Sequence, residues 1–196
     1  KNHMLVLADA DISMAADAAV SAAYGSAGER CMAISVVLAA DGIADELVDA
    51  IADRIPKIKV GNGMESDSEM GPLITAESRD RVVGYIDGAP NEGATVVVDG
   101  RESVPAEGYF VNPTLLDNVT TEMASYRDEI FGPVLGVMRV SGFEEGIDII
   151  NGCWSTHLDP MSYSDEDRRN SRVVVDACIP FKERTPSRRS RAHPRS

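Results

Sequence analysis

Apolar residues fall along this chain in two rhythms, near-continuous runs and spaced repeats, and their alternation lays out the elements. Met4-Leu5-Val6-Leu7 is an unbroken apolar run, and Ala33 to Ala39 and Val134 to Val140 are nearly so, interrupted by Ser35 and by Gly136 and Arg139, the pattern of strands buried on both faces of a parallel sheet. Ala94 to Val98 reads as another short buried strand ending at Gly100, with Tyr109–Val111 and Thr114–Val119 as extended segments around Asn112-Pro113. Between the runs, Ile12, Ala15, Ala16, Ala19, Val20 and Ala23 recur every three or four residues. That spacing predicts an amphipathic helix with a small-residue face, capped by Asp9 or Asp11 and ended by Gly25 and Gly28. Ile43, Leu47, Ile51 and Ile55 predict a second helix, stopped by Pro56. Val82, Val83 and Ile86 predict a third behind a Thr75 cap, and Phe143 to Asn151 a short last one. Strands alternating with helices predict an α/β domain with a mainly parallel sheet and flanking helices.

After Asn151 the periodicity dissolves, and the charge changes with it. The 196-residue chain has a net charge of −13. Ten basic and 26 acidic side chains fall up to Asn151, against nine and six from Gly152 onward. Residues 1–151 are therefore read as one incomplete α/β domain. Residues 152–196 are read as a separate basic tail, rich in Arg, Ser and Pro, with too little to bury for order to be expected. The acidic balance argues against nonspecific nucleic-acid binding. No apolar stretch has the length of a membrane span, and no basic-then-apolar leader opens the chain. Three scattered cysteines and three histidines suggest neither a disulfide framework nor a metal site. A soluble cytoplasmic protein is the expectation.

The chemistry concentrates in Gly25-Ser26-Ala27-Gly28-Glu29-Arg30-Cys31-Met32-Ala33. Small residues, a charged pair and a lone thiol precede an apolar strand. An adjacent arginine favours the thiolate, which is the nucleophilic form. Two readings stay open from the residues alone: a reactive thiol, or a buried core cysteine.

Four ordered segments resemble the aldehyde dehydrogenase superfamily: Lys1-Asn2-His3 with Gly28-Glu29-Arg30-Cys31-Met32-Ala33; Val60-Gly61-Asn62-Gly63 with Met70-Gly71-Pro72-Leu73; Gly108-Tyr109-Phe110-Val111-Asn112-Pro113-Thr114-Leu115; and Glu129-Ile130-Phe131-Gly132-Pro133-Val134. Within the superfamily, Arg-Cys-Met-Ala and the Lys-Asn-His start most resemble the CoA-acylating methylmalonate-semialdehyde dehydrogenases. The resemblance implies that residues 1–151 are part of that family's catalytic domain. It implies NAD-dependent oxidation of an aldehyde, methylmalonate or malonate semialdehyde, to an acyl-CoA, with CoA as the acyl acceptor. Cys31 would be the catalytic nucleophile, passing through a thiohemiacetal and a thioester, with its backbone N–H helping to hold the oxyanion. Arg30 would receive the substrate carboxylate, Glu129 would hydrogen-bond the nicotinamide ribose, and Phe131 would pack beside that ribose and ring. Full-length members are expected to be homo-oligomers.

Simpler roles stand beside these. Arg30 can pair with Glu29 or another surface acid, Glu129 can be a solvated carboxylate, and Phe131 can be core. Gly132 and Pro133 read as structural, fixing the turn that presents Glu129. The chain also departs from the family. The nucleotide-binding domain that precedes these segments is absent from the 196 residues, and the resemblance fades near Asn151, as if a frameshift or gene disruption had produced residues 152–196. The alternative function is therefore an inactive truncated remnant lacking the NAD-binding domain.

Overall fold

A computed structural model describes the backbone of residues 1–157 and the side chains of residues 1–152. The expected basic tail lies outside these described residues beyond His157. Five strands form one sheet: β1 (His3–Val6), β2 (Val36–Ala40), β3 (Thr95–Val98), β4 (Thr114–Asp117) and β5 (Val134–Val140). Their spatial order is β1-β2-β5-β4-β3. The first four in that order run parallel, and β3 closes the far edge antiparallel to β4. The helices are α1 (Ile12–Tyr24), α2 (Ala44–Ala52), α3 (Ala76–Glu92), α4 (Ala124–Arg127) and α5 (Phe143–His157).

Every residue of β2 is buried, and β5 exposes only Arg139. Burial at consecutive positions means that both sheet faces are covered, which is why these strands read as near-continuous apolar runs. Leu5, Leu38 and Met138 share one level of the sheet by register. α5 lies against Leu5, so closely that a Cβ at Gly146 would stand 2.6 Å from a Leu5 methyl. The alanine face of α1 is wholly buried at Ala15, Ala16 and Ala19 and packs against α2 and β5. Asp11 caps α1 by accepting from Met14 N, and Thr75 caps α3 by accepting from Ser78 N.

Three local expectations need correction. The second helix stops at Ala52, and Ile55–Lys57 forms a separate 3₁₀ turn. Pro56 fits the start of such a turn because its fixed φ suits it and no N–H is needed there. The Ala94–Val98 segment is an edge strand with alternate positions exposed, carrying a register shift between Val96 and Val98. Its valines answer to one packed face rather than two. The last helix continues through Gly152 to His157 rather than stopping at Asn151. A single internal glycine costs a helix only about 1 kcal/mol, and the first proline after it is Pro160.

His3, at the start of β1, makes a 3.1 Å hydrogen bond through Nε2 with the Tyr126 hydroxyl, their rings 5.7 Å apart and tilted. Burial, aided by the positive charges at Lys1, pushes its pKa down to about 4. The folded state thus holds His3 neutral, whereas the unfolded chain protonates it near 6.5. Stability from this site is complete above about pH 6.5 and falls as the pH drops towards 4, by about 3 kcal/mol in all and about 2 kcal/mol of it by pH 5. Urea melts at pH 7.5 and pH 5 should differ accordingly, and His3→Gln should flatten the loss between pH 6.5 and 5. An unchanged slope in the variant would show that His3 is not its source.

Candidate active site

Cys31 is exposed, so the buried-cysteine reading does not hold. It lies on the loop between α1 and β2. The loop begins with a left-handed stretch at Ser26, Ala27 and Gly28 (φ 53°, 54° and 69°), which breaks the α-helical path and turns the chain outward. Gly28 has a second constraint. A Cβ there would stand 2.3 Å from the carbonyl oxygen of Gly132. Backbone therefore meets backbone between the cysteine loop and the Phe131-Gly132-Pro133 turn, and only glycine permits the contact.

That contact builds the site. Arg30, Cys31, Glu129 and Phe131 all line one cleft of about 270 Å³, together with Lys1, Asn2 and Ile34. The cleft collects the segments preceding β1, β2 and β5, so it sits at the amino ends of three parallel strands. Ligands of open α/β sheets usually bind at the carboxyl ends. Here the return of α1 brings the cysteine loop to the opposite edge.

Phe131 is a non-glycine residue with φ 51° and is 39 % exposed. Such a conformation costs on the order of 1–3 kcal/mol and persists only when the surroundings enforce it. One face of α3 enforces it. Arg81 Nη1 donates to the Glu129 carbonyl at 3.0 Å, and Tyr85 donates its hydroxyl proton to Asp128 Oδ2 at 3.0 Å. Val82 presses on Gly132, where a Cβ would stand 2.4 Å from a valine methyl. Gly132 is thus structural, as read from the sequence.

Arg30 makes no ion pair with Glu29 among the described residues. Its guanidinium lies over Gly25, where a Cβ would stand 2.5 Å from Nη2, and Nη2 is 3.5 Å from the Ala22 carbonyl. A cation at this carboxyl end of α1 offsets the negative end of the helix dipole. Glu29 instead accepts from Ile74 N at 3.4 Å. Burial raises its pKa, opposed by that N–H and by the charge of Arg81.

Sequence reasoning missed the residues that hold the site: Asn2, Arg81, Val82 and Tyr85. Asn2 Nδ2 donates to the carbonyls of Cys31 and Ala33, at 2.7 and 3.2 Å. The one available signal was the i, i+4 spacing of Arg81 and Tyr85, which puts both on one helix face. Nothing in the spacing said what that face would meet.

An exposed thiol facing a cleft, with a carboxylate and a tilted-out aromatic on the same walls, is equipped for covalent carbonyl chemistry beside a bound organic cofactor. The chain belongs to the aldehyde dehydrogenase family, whose model matches residues 1–156. Among curated relatives it is 49% identical over 153 residues to malonate-semialdehyde dehydrogenase 2 of Bacillus thuringiensis (strain Al Hakam), covering 77% of this chain and 31% of that protein. It is 48% identical over 151 residues to malonate-semialdehyde dehydrogenase of Bacillus subtilis (strain 168), with the same coverage. Among solved structures, methylmalonate-semialdehyde dehydrogenase from Oceanimonas doudoroffii superposes with a TM-score of 0.75 at 47% identity, covering 77% of this chain and 32% of that one. Betaine aldehyde dehydrogenase from Staphylococcus aureus in complex with NAD+ gives 0.72 at 38% identity, covering 76% and 30%. The chain thus spans about a third of the length of these relatives. Among the described residues, no helix is long and apolar enough to cross a membrane.

Proposed function

We propose that this chain carries the thiol half of an NAD-dependent, CoA-acylating semialdehyde dehydrogenase acting on malonate or methylmalonate semialdehyde. The observation that carries the reading is the convergence of Cys31, Glu129 and Phe131 on one cleft, in a chain whose relatives bear those enzyme names. In the proposed reaction the Cys31 thiolate adds to the aldehyde carbon and forms a C–S bond. The carbonyl oxygen becomes the oxyanion, and the Cys31 N–H donates to it. A preorganised donor of this kind is worth about 10²–10³ in rate. NAD, when bound, supplies the hydride acceptor. The acyl group stays on Cys31 as a thioester until the CoA thiolate attacks it, the new C–S bond forming as the Cys31 C–S bond breaks.

The residues present suit the nicotinamide end of NAD. Glu129 offers a carboxylate acceptor for ribose hydroxyls, and Phe131 an exposed ring face for flat packing. Of the two cations on the cleft, Lys1 and Arg30, Arg30 is the one proposed for the substrate carboxylate, which a guanidinium binds in two parallel bonds. Reaching a substrate requires it to leave Ala22 O, a contact at the long limit of hydrogen bonding.

The test is NADH formation from malonate semialdehyde, NAD and CoA by the purified chain. Arg30→Ala should raise KM about 10–100-fold for the semialdehyde acid, the scale of a lost charge-assisted pair, and leave an uncharged short aldehyde within about twofold. Equal losses on both aldehydes would remove Arg30 from carboxylate recognition. No NADH above the protein-free rate would overturn the dehydrogenase reading for this chain.

A further inference from the structure

The segment before β1 does more than begin a strand. Asn2 meets the cysteine loop and the start of β2 through five hydrogen bonds. Its side-chain amide donates to the carbonyl of Cys31 at 2.7 Å and to that of Ala33 at 3.2 Å. Its own carbonyl accepts from Ser35 N at 3.2 Å and Val36 N at 3.4 Å, and from Ser35 Oγ at 3.4 Å. Residues 31–34 are also tied by Ala33 N to Arg30 O at 3.1 Å and Ile34 N to Ala22 O at 3.3 Å. Both involve backbone alone and leave the Cys31 and Ala33 carbonyls unaddressed. A single side chain therefore orients the Cys31–Met32 and Ala33–Ile34 peptide units, in a stretch where Met32 is itself 80 % exposed.

From this we infer that Asn2 is a positioning residue for the Cys31 thiol. By holding the Cys31 carbonyl it restrains the direction of the Cys31 Cα–Cβ bond and of the neighbouring N–H, so that sulfur and oxyanion donor address the same carbonyl group. The amide suits this task because it offers two donors from one planar nitrogen. An aspartate of the same shape offers none, and its negative charge would face two carbonyl oxygens. The inference rests on the proposed thiol chemistry, and its test separates the two.

Positioning matters for attack on a carbonyl, which needs the sulfur and the oxyanion donor aligned. It matters little for alkylation, which needs only an accessible thiolate. The full chain and its Asn2→Ala, Asn2→Asp and Asn2→Ser variants would be treated with p-nitrophenyl acetate and, separately, iodoacetamide. Acylation would be read as the p-nitrophenolate burst, and each adduct assigned to its cysteine by peptide mass. Asn2→Ala should slow acylation of Cys31 about tenfold, equivalent to about 1.4 kcal/mol, and leave its alkylation within about twofold. Asn2→Asp should be slower than Asn2→Ala, and Asn2→Ser, which keeps one donor, should recover part of the rate. Acylation unchanged in Asn2→Ala and Asn2→Asp would overturn the positioning role. So would acylation and alkylation falling together in all three variants, since that is the result of a loosened fold. If wild-type Cys31 is not acylated in preference to Cys153 and Cys178, the thiol-enzyme reading itself falls, and the positioning role with it.

Discussion

Cys31→Ala is expected to abolish acyl capture and NADH formation, a loss of at least about 10³-fold, to the background rate. A covalent mechanism has no detour around its nucleophile, and removing it leaves only what binding and oxyanion donors contribute. The variant is also clean. Cys31 is exposed, so its truncation should change stability by less than about 0.5 kcal/mol. Cys31→Ser should be nearly as inactive, because a hydroxyl is scarcely ionised near neutrality and an ester is a poorer acyl donor to CoA than a thioester. Both variants should melt with the wild-type midpoint and amplitude. A variant that kept a tenth of the wild-type rate would assign the chemistry to another group.

Gly28→Ala is expected to cost about 3–4 kcal/mol and to lower Tm by roughly 6–16 °C for a domain of this size. Two effects add. The left-handed φ of 69° costs a residue with a Cβ about 1–2 kcal/mol, and the new methyl would stand 2.3 Å from the Gly132 carbonyl oxygen. The obstacle is backbone, so relief requires the Phe131-Gly132-Pro133 turn to move away from the cysteine loop. Acyl capture should therefore fall along with stability. Gly88→Ala is the matched control. Gly88 lies within α3 with open space where a Cβ would go, so alanine there should stabilise by about 0.5–1 kcal/mol. The opposite signs of the two substitutions, read in thermal or urea melts, test the joint between the loops. A Gly28→Ala variant as stable as the wild type would mean that the loops do not meet as described.

These expectations rest on features of unequal legibility. The runs that became β1, β2 and β5 were readable because a parallel strand buried on both faces leaves few polar positions, here His3 and Arg139, to confuse the pattern. The caps at Asp11 and Thr75 were readable because capping is local chemistry within three residues. β3 was misread as buried, since Thr-Val-Val-Val has the same β-branched composition whether one face or two is covered. Cys31, Arg30, Glu129 and Phe131 stood out through the motifs that carry them, and the fold brings all four to one cleft. What positions them was not readable. Asn2 and Cys31 are 29 residues apart, Arg81 and Glu129 are 48 apart, and Tyr85 and Asp128 are 43 apart. Such pairings depend on the sheet order β1-β2-β5-β4-β3, which periodicity along the chain does not encode. The Gly28–Gly132 contact was hidden for the same reason: a glycine chosen for close approach looks, in sequence, like one chosen for a turn.

The central claim is that Cys31 is a nucleophile presented to a carbonyl. The most direct measurement is peptide mass mapping of the intact chain after brief exposure to a limiting amount of an activated aryl ester at neutral pH, followed by addition of CoA. The account predicts an acyl group on the Cys31 peptide and on neither Cys153 nor Cys178, then its transfer to CoA with recovery of the free thiol. An acyl group spread evenly over the three cysteines, or one on Cys31 that CoA does not remove, would contradict it.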